Sequence, residues 1–175
     1  MHMHRLLTLL ILTCLTLSIS IAAAAPQTKS APPMAPQPPP ASIPAPQPKD
    51  KCPVCGMFVS KYPDWVVSVA FKDSTTLYFD GAKDFFTWYH NMQKFTPSKN
   101  KAAIAAITVK DYYTLKDLDA TKASFVIGSD VYGPMGKELV PFAKLNDAHA
   151  FLKDHKGKMV LRFSDVTPSA LKSLE

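Results

Sequence analysis

Cys52-Pro53-Val54-Cys55-Gly56-Met57 places three sulfur side chains within six positions, on a segment that must turn at Gly56. Thiolate and thioether are soft donors suited to a soft monovalent ion such as Cu(I), whereas Ca(II) and Mg(II) are held by oxygen. A metal-bound thiol gives up its proton, so binding through the cysteines should weaken in acid. A thioether has no proton to lose. A further sulfur lies in Tyr132-Gly133-Pro134-Met135-Gly136-Lys137. Gly-Pro before the methionine and Gly after it dictate a loop, because neither a helix interior nor a central strand tolerates that neighbourhood. Methionine more commonly fills a core, but these glycines expose the side chain and allow close backbone approach. Cys52, Cys55, Met57 and Met135 are therefore the candidate donors.

Other chemistries compete for the same residues. Cys52 and Cys55 could form a redox dithiol, although the thioredoxin-type motif sits after a strand and at a helix start, and here a proline-rich stretch precedes it. Structural zinc wants four nitrogen or sulfur ligands, and no second cysteine pair or histidine pair accompanies this one. A plain disulfide in an oxidising compartment is the third option. Of the histidines, His90 falls at the end of an expected helix, where a cation suits the helix terminus. His149 and His155 are six apart, off one helical face, and all three read as solvated surface residues. Asp80 and Asp84 share a helix face and read as a cap and a surface acid. There is no Gly-x-Ser-x-Gly, phosphate loop or His-Glu-x-x-His, so nothing points to hydrolytic or transferase chemistry.

The elements that must position these donors begin only at Asp50. Arg5 and the apolar run from Leu6 to Ile21, followed by Ala22-Ala23-Ala24-Ala25, read as a signal peptide over residues 1–25. The run is short of the ~20 residues that span a bilayer, and Cys14 sits in a poor lipobox. The mature protein is expected in the periplasm, with a membrane tether as the open variant. Residues 26–49 hold ten of the sixteen prolines and no glycine, the composition of an extended spacer that cannot bury a core. The formal charge of +6 divides into +1 from Arg5, +2 from Lys29 and Lys49, and +3 over the remaining head. With no Lys/Arg run, a nucleic-acid partner is excluded as the main one.

The head, residues 50–175, shows one pattern twice. Trp65–Phe71 and Thr75–Phe79 read as a hairpin, with Val67, Val69 and Phe71 on one side. Asp80 is suited to cap a helix over Gly81–Met92, whose Phe85, Phe86, Tyr89 and Met92 form an apolar stripe. Ala103–Val109 follows as a strand. Downstream, Ala123–Ile127 and Glu138–Phe142 read as strands, Asn146 caps a helix over Asp147–His155, and Lys158–Phe163 is a strand. Thr167-Pro168 opens a last helix with proline at its favoured first position. The expected fold class is α+β: two β-β-α-β units, about 50–110 and 111–166, plus a C-terminal helix. Each unit is too small to bury a convincing core alone, so the two should pack together. Trp65, Trp88, Phe85 and Phe86 are read as core.

Taken together, Cys52-Pro53-Val54-Cys55-Gly56-Met57, the hairpin ending Tyr78-Phe79-Asp80, and Gly133-Pro134-Met135-Gly136 with Pro141-Phe142 after it resemble the NosL family. Its members are copper-binding accessory proteins of nitrous oxide reductase. The resemblance covers the head from Lys51 to about Val166. It implies the same tandem architecture, seen also in part of organomercurial lyase, and a non-enzymatic Cu(I) carrier. It further implies delivery of copper to nitrous oxide reductase or another periplasmic copper acceptor, helped by a membrane transporter complex. Residue by residue, Cys55 and Met57 match the family's amino-terminal sulfur positions, Cys52 its first cysteine, and Met135 the methionine of its second motif. Two readings of other classes stay open: a periplasmic thiol-disulfide oxidoreductase using Cys52 and Cys55, and a binding module for another metalloprotein.

Overall fold

A computed structural model describes residues 43–174. The expected signal peptide and most of the proline-rich spacer lie outside the described residues. Val67, Val69 and Phe71 alternate inward along β1 (Val67–Phe71), which pairs antiparallel with β2 (Thr76–Phe79) in the register Val67 to Phe79. The chain then enters α1 (Ala82–His90), which carries Phe85, Phe86 and Trp88 at helical spacing and buries all three. A short α2 (Met92–Phe95) follows, where the expected helix was continuous to Met92; Asn91 breaks it with φ −131°. β3 (Ile104–Lys110) returns on the other side of β1, and β4 (Asp117–Asp119) adds an edge, so the first sheet runs β2-β1-β3-β4.

The second unit repeats the path. β5 (Ser124–Gly133) pairs with β6 (Gly136–Phe142), α3 (Leu145–Asp154) crosses over, and β7 (Met159–Arg162) pairs with the free side of β5. The order β6-β5-β7 reproduces β2-β1-β3. α4 (Pro168–Lys172) closes the chain, with the Thr167 side chain accepting from the Ala170 amide as its cap. Asn146 does not cap α3: that helix starts two residues earlier than expected, at Leu145 after Lys144.

Period-two alternation in β5 decides how the units meet. Val126, with Val140 and Phe142 of β6, packs on Ala148 and Phe151 of α3. Phe125 and Ile127, with Leu139, point the other way into a larger core shared with β1, β2 and α1. α1 serves both sides. Its Phe85 and Trp88 meet Phe79 edge-on or tilted at 5.7 and 5.2 Å, while Phe86 meets Phe125 at 5.2 Å. The two units therefore bury one continuous core rather than two, as their size demands. Trp65 is half-buried against the smaller cluster, its ring tilted against that of Tyr112 at 6.0 Å.

Residues 43–48, the end of the stretch read as spacer, lie against the outer face of the first sheet. The Tyr78 hydroxyl donates to the Pro44 carbonyl at 2.9 Å, and a cavity of about 200 Å³ separates this segment from Ser68 and Thr108. All described residues belong to one compact unit, and among them no helix is long and apolar enough to cross a membrane.

Candidate metal centre

The cysteine segment is a closed loop on the first unit. Lys51 bridges to Phe58, the Cys52 amide donates to the Met57 carbonyl at 2.9 Å, and the Gly56 amide donates to the Cys52 carbonyl at 2.9 Å. Gly56 adopts φ +77°, the left-handed conformation that closes the loop with little strain only for glycine. Cys52 is thereby sunk into the core, 2% exposed, while Cys55 stays half-buried at the pocket's mouth.

Opposite this loop stands the β2–α1 junction. Asp80 follows the last residue of β2 and Asp84 is the third residue of α1. The Cys52 thiol lies 3.3 Å from Asp84 Oδ2, and the Cys55 thiol 3.3 and 3.4 Å from the two Asp80 oxygens. One donor atom from each of Cys52, Cys55, Asp80 and Asp84 falls within 4.8 Å of every other. Asp80 and Asp84 are buried, so the expectation of a helix cap and a surface acid is corrected. Gly81, not Asp80, occupies the N-cap position and has no side chain to offer. The amide of Lys83 is satisfied instead by the Glu138 carboxylate, reaching across from β6, and the Leu139 amide donates to the same oxygen at 2.9 Å. With the cap supplied from the other unit, Asp80 is free to face Cys55.

Burial sets the protonation of this pocket. Loss of solvent pushes the Cys55 thiol up to about 12, aided by the carboxylate of Asp84. The same cause raises Cys52 further, and raises Asp84 above the ordinary carboxylate range. Both thiols are therefore protonated at neutral pH and donate to the carboxylates. Such a pocket can exchange its thiol protons for a cation held by sulfur, and by oxygen if the carboxylates join.

Met57 is half-buried on the cysteine loop. Met135 is 43% exposed at the tip of the β5–β6 hairpin, where Gly133 pairs with Gly136. The Lys83 ammonium donates to the Met135 carbonyl at 2.6 Å, tying that tip to the first turn of α1, one residue from Asp84. The thiol loop and the methionine hairpin thus both flank the amino end of α1. The histidines lie elsewhere. His90 Nε2 bonds the Val166 carbonyl at 2.7 Å from the other end of α1, His155 pairs with Asp130 at 3.0 Å, and His149 is exposed on α3. Sequence reasoning missed the two acids as partners of the thiols. Their i, i+4 spacing was visible, but the pairing spans 32 and 25 residues and left no local mark.

Comparison with known proteins identifies the family of the chain. The copper-binding lipoprotein NosL of Stutzerimonas stutzeri is 29% identical over 130 residues, which is 70% of this chain and 64% of that protein. The chain thus spans a little under two thirds of that relative's length. The crystal structure of the copper chaperone NosL from Shewanella denitrificans shares the fold, with a TM-score of 0.62 at 24% identity, over 75% of this chain and 99% of that one. The family model for NosL matches residues 43–171, nearly the whole of the described structure, and the chain belongs to the NosL family.

Proposed function

We propose that this protein is an exported, non-enzymatic carrier of Cu(I). Cys52 and Cys55 act as thiolate ligands, and Met57 and Met135 as thioether donors from the two flanking loops. The observation that carries this reading is the convergence of both thiols in one pocket at the amino end of α1, with the Met135 hairpin pinned beside it. Relatives named as a copper-binding lipoprotein and a copper chaperone support copper as the cargo. A half-buried Cys55 at the mouth leaves the ion within reach of an acceptor, whereas a closed four-ligand cage releases its metal slowly. The acceptor is nitrous oxide reductase or another periplasmic copper protein, loaded with help from a membrane transporter complex. Residues 1–25 act as the export signal and 26–49 as the spacer, its last part (residues 43–48) docked on the head's first sheet, and the lipoprotein among the relatives supports export.

The thiol-disulfide oxidoreductase reading fares worse. Such enzymes depend on a thiol lowered toward neutrality by a cation or helix terminus. Here burial and two neighbouring acids raise both cysteines.

The test is anaerobic Cu(I) titration of the reduced protein against a competing chelator, with X-ray absorption to count sulfur neighbours. One tightly held Cu(I) is expected, with Cys55→Ser and Met135→Leu each weakening it. Unchanged affinity in both variants would remove these ligands. Transfer from the loaded protein to metal-free nitrous oxide reductase, followed by the reductase's copper absorption, tests the acceptor.

A further inference from the structure

We propose that the pocket of Cys52, Cys55, Asp80 and Asp84 is also a tetrahedral site for a divalent cation of the Zn(II) class. The two carboxylates would complete that site in place of the thioethers. This rests on the reading above that the two thiols bind metal.

Geometry is the first argument. Zn(II) bonds of about 2.3 Å to sulfur and 2.0–2.2 Å to oxygen make a tetrahedron whose donors stand roughly 3.3–3.8 Å apart. The sulfur–oxygen contacts here are 3.3, 3.3 and 3.4 Å, and no pair in the set of four exceeds 4.8 Å. Each carboxylate is carried by the ordered β2–α1 junction, and Asp80 is released from capping by Glu138. A small contraction would bring all four donors onto one ion.

Charge is the second. Fully ionised, the four ligands carry −4. A monovalent ion leaves −3 in a pocket where three of the four residues are buried, and a dication leaves −2. Uncompensated buried charge is costly, so a monovalent ion favours the uncharged thioethers as partners of the thiols. A dication recovers more from the carboxylates, and carboxylate oxygen suits Zn(II) better than it suits Cu(I). Two acids beside two thiols also oppose thiol ionisation, which would burden a site built only for a soft monovalent ion. On loading, the two thiol protons leave to solvent, two metal–sulfur bonds form, and no oxidation state changes. Zn(II) and Cu(I) then compete for the thiols while differing in their remaining donors.

Co(II), a coloured stand-in for Zn(II), tests this on the reduced full-length protein without copper. One equivalent should give intense visible bands of a tetrahedral ion with sulfur-to-cobalt charge transfer, bleached by Zn(II). Asp80→Asn and Asp84→Asn should each weaken Co(II) by at least the roughly 10–100-fold that loss of even an outer partner costs, and should not weaken Cu(I), because removing an acid beside the thiols eases their ionisation. Weak octahedral bands, or no binding by the unaltered protein, would overturn the proposal whether or not the variants fold. So would acid variants that keep Co(II), or that lose both metals equally while keeping native circular dichroism. In the unaltered protein, absence of a tetrahedral Co(II) site with Cu(I) still bound removes only this inference; absence of Cu(I) binding with the Co(II) site present removes the copper reading instead.

Discussion

A thiol that donates to a buried carboxylate must be stripped of its proton before it can hold copper. Burial pushes Cys55 up to about 12 and Cys52 higher, so over the whole neutral range both carry protons. The sign follows directly: Cu(I) binding releases protons and tightens as pH rises. If both thiols ligate, the apparent binding constant should gain about two decades per pH unit, and about one if only Cys55 does. Chelator competition at several pH values reads this slope, and Cys52→Ser should reduce it from about two to about one. A wild-type slope already near one would remove Cys52 from the ligand set while leaving Cys55 in place.

Between residue and fold stands the β2–α1 junction, which works because two glycines make room for one acid. An added Cβ at Gly81 would lie 2.2 Å from Glu138 Oε2, and one at Gly133 would lie 3.0 Å from Glu138 Cγ. Gly81 has φ −175°, extended backbone open to any residue, so the constraint there is space alone. Gly81→Ala should therefore destabilise the protein by roughly 1–3 kcal/mol through overpacking, measured by urea denaturation. Adding Glu138→Ala should give a double variant less unstable than the two losses summed, since the clash has gone. Full additivity would contradict the contact. The same junction shows how far the sequence was legible. Alternation in Val67–Phe71 and the stripe of α1 announced a strand and a helix, because burying one face demands that spacing. Asp80 before Gly81 had the form of a cap, and local preference could not reveal that Glu138, more than fifty residues on, performs that task. β4, reading Asp-Leu-Asp, has no β-forming bias, and its pairing with β3 places it in the sheet. The cysteines and Met135 stood out by their neighbours. The acids did not, because their meaning lies in long-range contact.

At the scale of the whole molecule, Glu138 is a buried polar link between the two β-β-α-β units, and it lies inside their interface rather than at its rim. It is 2% exposed, projects from β6 and accepts from the first turn of α1. Around it the core runs unbroken from Phe79 and Phe86 to Phe125 and Leu139, so the units should unfold in one transition. Burial raises this carboxyl from 4.5 to about 8, with the two amides and Lys83 opposing that rise. Between those values the unfolded chain has lost a proton that the folded chain keeps, so stability falls as pH rises. At about 1.4 kcal/mol per pH unit the full window amounts to something on the order of 5 kcal/mol, a large share of a typical domain's 5–15 kcal/mol. Glu138→Gln keeps the carbonyl oxygen that accepts from Lys83 and Leu139 but cannot ionise. In the metal-free protein it should flatten the loss of stability between about pH 4.5 and 8 and leave the variant the more stable form at the alkaline end. Urea denaturation across that range measures it directly. Parallel curves for the two proteins would mean that the link between the units is ionised in the fold, and that burial is not what sets its charge.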